Sequence, residues 1–235
     1  MNKVSPLVPA AALLAACAAP VAWGQASCSS DGVPRPAALL ERFINADCES
    51  CWKDGKAPRA GRGELALDWI VPGGRGEDAP LAAAASRDAL ARLQALARKI
   101  PAAADASRLN ARGANRRLRV AQGPAFNGYM GASIELKPGR GGPWQAWLLL
   151  VETLPAGTEG SPVPRNLVRN ALQPAWNQPD QLSKKELARL FESRPMRIPE
   201  GADPDRLRVV GWVQDARGRI RAIAQSRCAA AAGKG

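Results

Sequence analysis

The sequence contains no histidine. Ser-His-Asp and Cys-His hydrolase arrangements, imidazole proton shuttles and His-ligated zinc or copper are therefore excluded. Tyrosine occurs once and phenylalanine three times, so the aromatic content rests on seven tryptophans. No long apolar run follows the first 26 residues, which argues against a spanning helix in the remainder. The 21 Asp and Glu do not gather in any glycosidase-like pair. These absences leave thiol chemistry and binding.

Positive charge is plentiful, with 33 Lys and Arg giving a net +12. The arginines are interspersed rather than blocked, the pattern of a solvated basic surface. Such a balance suits anionic lipid or polymer surfaces, and in a cytosolic chain it would suit nucleic acid. The N-terminus argues against a nucleic-acid partner. Residues 1–26 read as an export signal, with Lys3, an Ala/Leu-rich run from Leu7 to Ala19, and small residues up to Ala26. In a competing reading, Leu14-Ala15-Ala16-Cys17 precedes an acylated Cys17. The first reading predicts a periplasmic or secreted protein, the second a lipid-anchored envelope protein, and a membrane partner is expected only in the second. Removing 26 of 235 residues leaves 209, and loss of Lys3 takes the charge from +12 to +11. That length is expected to form a single domain over 27–228, followed by a disordered low-complexity tail at 229–235.

Cleavage after Ala26 keeps Cys28, Cys48, Cys51 and Cys228, an even set in an oxidising compartment. Three pairings are available. Cys48 with Cys51 and Cys28 with Cys228 is the expected one, because the ends of a domain commonly lie close together. A four-thiol zinc site is chemically conceivable but disfavoured by export, and no cofactor is expected.

Leu39 to Ile44 is rich in strand formers, and Asn45-Ala46-Asp47 reads as a turn that delivers Cys48 to a strand end. Lys53 to Gly63 is too rich in Gly and Pro for a helix. Glu64 to Val71 reads as a second strand covered on both faces. Leu81 to Ile100 is the clearest helix, with Leu90, Leu93, Leu96 and Ile100 at helical spacing, Ser86 as a cap within it and Pro101 as a stop. Strand, strand and helix open an α/β unit. Three antiparallel strands then follow, Leu118–Gln122, Tyr129–Leu136 and Trp144–Thr153, expected as a β-rich insertion at about 117–180 beside the α/β core. Arg165 to Leu172 reads as a short helix, and Ser183-Lys184-Lys185-Glu186 as a capping box opening another through Leu187, Leu190 and Phe191. Leu207–Gln214 and Arg219–Gln225 form a C-terminal hairpin.

Glu41, Phe43, Cys48, Ser50 and Cys51 stand as in a family of secreted thioredoxin-like proteins of largely unknown function, whose signature is a Glu-x-Phe strand running into a C-x-S-C pair. Val163-Pro164-Arg165-Asn166-Leu167-Val168-Arg169 resembles that family's Asn-Val-Val-Arg region, and Val209-Val210-Gly211-Trp212-Val213-Gln214 its last Val-Gln strand. The resemblance implies a thioredoxin-like core within an α/β (α+β) fold. It departs from the thioredoxin pattern in two places: no long helix begins at the first cysteine, and Gly123-Pro124 is a poor substitute for the Thr-Pro that supplies the cis-proline.

Two functions follow from the CxxC. In the first, Cys48 and Cys51 are the catalytic pair of a thiol-disulfide oxidoreductase, with Cys48 attacking, Cys51 resolving, and a protein thiol or disulfide as partner. Asp47 and Glu49 oppose ionisation of Cys48, and Lys53 and Lys56 favour it. In the second, the pair is an inert staple in a non-catalytic envelope binding or accessory protein. Trp52, Trp144 and Trp147 are the candidates for an aromatic recognition face, although Trp144 and Trp147, three apart, should point to opposite sides of a strand.

Overall fold

The computed structural model describes residues 28–112, 117–139, 141–177, 183 and 188–228. The expected export signal, Cys17, the tail at 229–235 and most of the expected capping box lie outside the described residues. In chain order the elements are β1 (Cys28–Ser29), β2 (Ala38–Asn45), α1 (Glu49–Trp52), β3 (Glu64–Val71), α2 (Arg87–Ala95), β4 (Ala104–Asn110), β5 (Arg117–Phe126) and β6 (Tyr129–Lys137). Then come β7 (Gln145–Leu154), β8 (Arg165–Leu172), β9 (Leu190–Arg197), β10 (Leu207–Gln214) and β11 (Ile220–Gln225).

The strands form a seven-stranded sheet, β11-β10-β7-β8-β3-β2-β4, and a four-stranded sheet, β1-β5-β6-β9. In the large sheet β2, β3 and β8 run parallel and every other pairing is antiparallel. β7 shows how the layers are built, because its side chains alternate between two cores. Ala146, Leu148 and Leu150 pack on the small sheet, whereas Trp147, Leu149 and Val151 face α2. Leu154 continues the first face into a third cluster with Ile44, Ile70, Leu167 and Trp52. One face of the large sheet is thus covered by α2, and the other by the small sheet at one end and the segment after β2 at the other.

The expected α/β fold with a thioredoxin-like core is not what the chain forms. Among the described residues strand accounts for 45% and helix, 3-10 turns included, for 12%, with only two α-helices. Local causes account for the difference. Ser86 sits in extended conformation (φ −133°, ψ 147°) and its hydroxyl accepts from Ala89 N, so α2 begins there instead of at Leu81. Ala97 at φ 51° and the Arg98 N to Leu93 O bond close the helix well before Pro101. Arg165–Leu172 is a strand instead of a short helix because β7 and β3 offer it partners on both sides. Leu190 and Phe191 likewise begin β9, paired along its length with β6, rather than lying in a capped helix. Nor is the 117–180 region a separate β-rich insertion: β5 and β6 belong to the small sheet, but β7 pairs with β10 and β8 in the large one.

Inside the α2 layer Phe43, Trp69, Trp147 and Trp212 form a ring series, with Trp147 stacked on Trp212 at 5.8 Å between centroids. Trp144 falls in the opposite core, and its Nε1 donates to Gly139 O at 2.6 Å. Both indoles are buried, so neither presents an aromatic face to solvent. The Cys28–Cys228 disulfide joins β1 to the segment after β11, flanked by reciprocal backbone bonds between Ser29 and Arg227. It fastens an edge of the small sheet to the end of the large one.

Candidate functional site

β2 reaches the second disulfide directly. Its last residue, Asn45, turns the chain by accepting from Asp47 N at 2.9 Å and donating its Nδ2 to Pro101 O. Cys48 follows at the start of α1, and Cys48 N to Asn45 O and Cys51 N to Cys48 O carry the chain through one tight turn. The sulfurs of Cys48 and Cys51 are bonded to each other and both residues are half-buried. Cys48 Sγ lies 3.5 Å from Ser50 Oγ on the solvent side. Cys51 lines a cleft of about 300 Å³ that it shares with Arg42, Arg165, Asp54 and Asp105.

The two carboxylates expected to oppose Cys48 are both engaged. Asp47 accepts from Gly74 N at 2.8 Å and from Arg75 N, and Glu49 pairs with Lys53 at 2.6 Å. Lys56 has no contact to the pair; its backbone N–H caps Asp54.

The cations that line this cleft with Cys51 were not among the expected site residues. Arg42 and Arg165 are buried and converge on one carboxylate, Asp68, at 2.6 Å and 3.2 Å. Arg165 also donates to Trp52 O at 2.6 Å, stacks over the Trp52 ring at 5.0 Å, and bonds Ser161 Oγ. Burial lowers the Arg165 pKa, the adjacent Asp68 works the other way, and the neighbouring Arg42 adds to the lowering. Arg42 donates a second bond to Pro58 O, while its Nε is buried with no partner. The signal that could have found two of these residues is charge inside an otherwise apolar strand: Arg42, next to Glu41, in Leu-Leu-Glu-Arg-Phe-Ile and Asp68 in Leu-Ala-Leu-Asp-Trp-Ile.

Cys28 and Cys228 lie at the far edge, bonded to each other, and take no part in this site. A shared four-thiol ion has no place, since the sulfurs form two separate disulfides. Among the described residues no group of acidic or sulfur side chains is placed to hold a metal, and no helix is long and apolar enough to cross a membrane. Comparison with known proteins gives no match: no family model, no curated protein and no solved structure is significantly similar to the chain.

Proposed function

We propose that this is an exported protein that performs thiol-disulfide exchange through Cys48 and Cys51. One observation carries the reading: the half-exposed pair sits on a loop whose shape is held by bonds that do not pass through sulfur. Leu81 N to Ala46 O, Gly74 N to Asp47, Trp52 Nε1 to Glu159 O and Arg165 to Trp52 O hold it, and none of them involves a sulfur atom. A pair that can open without unfolding its surroundings can cycle.

In the reducing direction the Cys48 thiolate attacks a disulfide of a partner protein, and one partner sulfur leaves as a thiolate that takes a proton. Cys51 then attacks Cys48 Sγ, the second partner sulfur leaves, and the Cys48–Cys51 bond closes. Two electrons pass from the dithiol to the partner.

A second reading, a non-catalytic accessory protein in which the pair is a staple, is favoured by the length of α1. Four residues supply almost no helix dipole to a thiolate at the N-cap. Redox titration separates the two: a potential between about −270 and −120 mV supports exchange, and one below about −300 mV supports the staple. Insulin reduction by the wild type, lost in Cys48→Ser, is the activity expected, and equal rates in the two sink the exchange reading.

A further inference from the structure

A cavity of about 710 Å³ lies away from the disulfide, between the turn that joins β10 to β11 and the Gly/Pro loop that leads into β7. We propose that it binds a small molecule carrying a phosphate dianion.

One wall is a comb of guanidiniums. Arg217, Arg219 and Arg221 alternate along the turn and the start of β11 and all line the cavity. Asp215, the one carboxylate lining it, accepts from Arg217 N at 3.0 Å, Arg219 N at 3.1 Å and Arg219 Nε at 2.9 Å, with Arg221 Nε at 3.2 Å. Burial pushes the Asp215 carboxyl up, but the Arg219 and Arg217 bonds outweigh it and hold the group below its usual range. Among the described lining residues, three cations stand against one anion, an excess of two positive charges. That excess matches a dianion, and the planar fork of arginine matches phosphate oxygens in pairs.

The turn that carries the comb is held in place by the core. Gln214 donates its Nε2 to Gly218 O at 2.6 Å, and Arg92 from the buried layer donates to Gln214 Oε1 at 3.0 Å, so the turn is tied to the core. The described residues lining the opposite side are Pro138, Gly141, Gly142, Pro143 and Trp144, and a Cβ on Gly142 would come within 3.0 Å of the Trp144 indole. Guanidiniums on one side and these prolines and the indole on the other, with this volume between them, accommodate a phosphate and an organic body together. β7 runs from beside Trp144 to Leu154, next to the disulfide loop. At about 3.3 Å per residue its ten residues place the two sites roughly 30 Å apart, so this inference does not depend on the exchange reading.

The probe is inorganic pyrophosphate, titrated calorimetrically at low ionic strength into the chain with both disulfides formed. Saturable one-to-one binding is expected. Arg217→Ala combined with Arg219→Ala should weaken it at least tenfold, and Ala216→Glu, which puts an anion at the cavity without removing an ion pair, should abolish it. Arg59→Ala with Arg62→Ala removes the same charge from an exposed surface elsewhere and should leave affinity within twofold. The proposal is overturned by the absence of saturable heat in the wild type, by unchanged binding in Ala216→Glu, or by an equal loss in the Arg59/Arg62 variant, which would show general attraction to a basic protein.

Discussion

Glu41 of β2 and Arg92 of α2 meet through two parallel bonds, Nε to Oε1 at 2.8 Å and Nη2 to Oε2 at 2.6 Å, with both side chains wholly out of solvent. Trp69 Nε1 completes Glu41 Oε1 at 3.1 Å, and the Arg92 guanidinium lies over the Trp147 and Trp212 rings at 5.2 Å and 4.9 Å. The one long helix of the described residues is therefore held to the sheet by charge as well as by Ala89 and Leu93. Removing either partner strands a buried charge. Arg92→Leu or Glu41→Leu should each cost about 3–5 kcal/mol, and the double replacement should cost less than the sum of the two. Urea unfolding of the four proteins measures this, and strict additivity would refute it.

The loop bearing Cys48 depends on a missing side chain across from it. A Cβ on Gly73 would stand 2.3 Å from Asp47 Oδ1 and 2.5 Å from Asn45 Oδ1. Gly73→Ala should push Asp47 off Gly74 N and Arg75 N, lower stability by about 1–3 kcal/mol, and speed reduction of Cys48–Cys51 by dithiothreitol. Unaltered reduction kinetics would show that the Asp47 contacts do not position the pair.

Cys28–Cys228 spans a sequence separation of 200 residues. A loop of that length restricts the unfolded chain by up to about 5 kcal/mol in the chain-entropy model. Replacing both cysteines by serine should lower the melting temperature sharply and leave the Cys48–Cys51 redox potential where it was. Differential scanning calorimetry and a glutathione titration test the two halves separately.

Asp88, in the first turn of α2, accepts from Ala171 N at 2.9 Å. Burial raises its pKa, and the Ala171 bond offsets that only in part. A carboxyl that holds its proton more tightly when folded favours the native state below its unfolded pKa, and loses that contribution as pH rises through the folded value. Asp88→Asn lacks this loss and keeps an oxygen for Ala171 N. Its melting temperature relative to wild type should therefore increase between pH 3.5 and pH 7. A difference that stays flat or falls over that range would refute the account.

The strands nearest the cysteines were legible because their composition allows little else. Ala38–Asn45 and Glu64–Val71 are apolar runs that the structure buries on both faces, and both ends of the C-terminal hairpin fall close to where Val, Ile and the Asp215 to Gly218 turn put them. Arg165–Leu172 was not legible, since Arg-Asn-Leu-Val-Arg-Asn-Ala-Leu fits a helical spacing as well as a strand, and only its neighbours decide. The class of fold was misjudged for a related reason. Helical spacing from Leu81 to Ile100 is genuine, but Ser86 interrupts it by bonding to the backbone, and a nine-residue helix cannot make an α/β layer. At the site, the cysteines and the acids beside them could be read directly. Arg42, Asp68 and Arg165 could not be joined, because Asp68 and Arg165 lie 97 positions apart and meet only where β3 and β8 run side by side.

That junction is the thinnest in the large sheet. Along β3 and β8 the only backbone pairing is Asp68 with Leu167, whereas β2 and β3 pair over eight positions. Side chains close the rest: Asn166 Nδ2 reaches Ala66 O at 2.9 Å, and Asp68 receives Asn166 N and Arg165. The large sheet accordingly has a seam, with the cysteine loop, β2, β3 and β4 on one side and β7, β8, β10 and β11 on the other. Its two flanks should trade amide protons for deuterium as separate blocks, with Asp68 as the rivet between them.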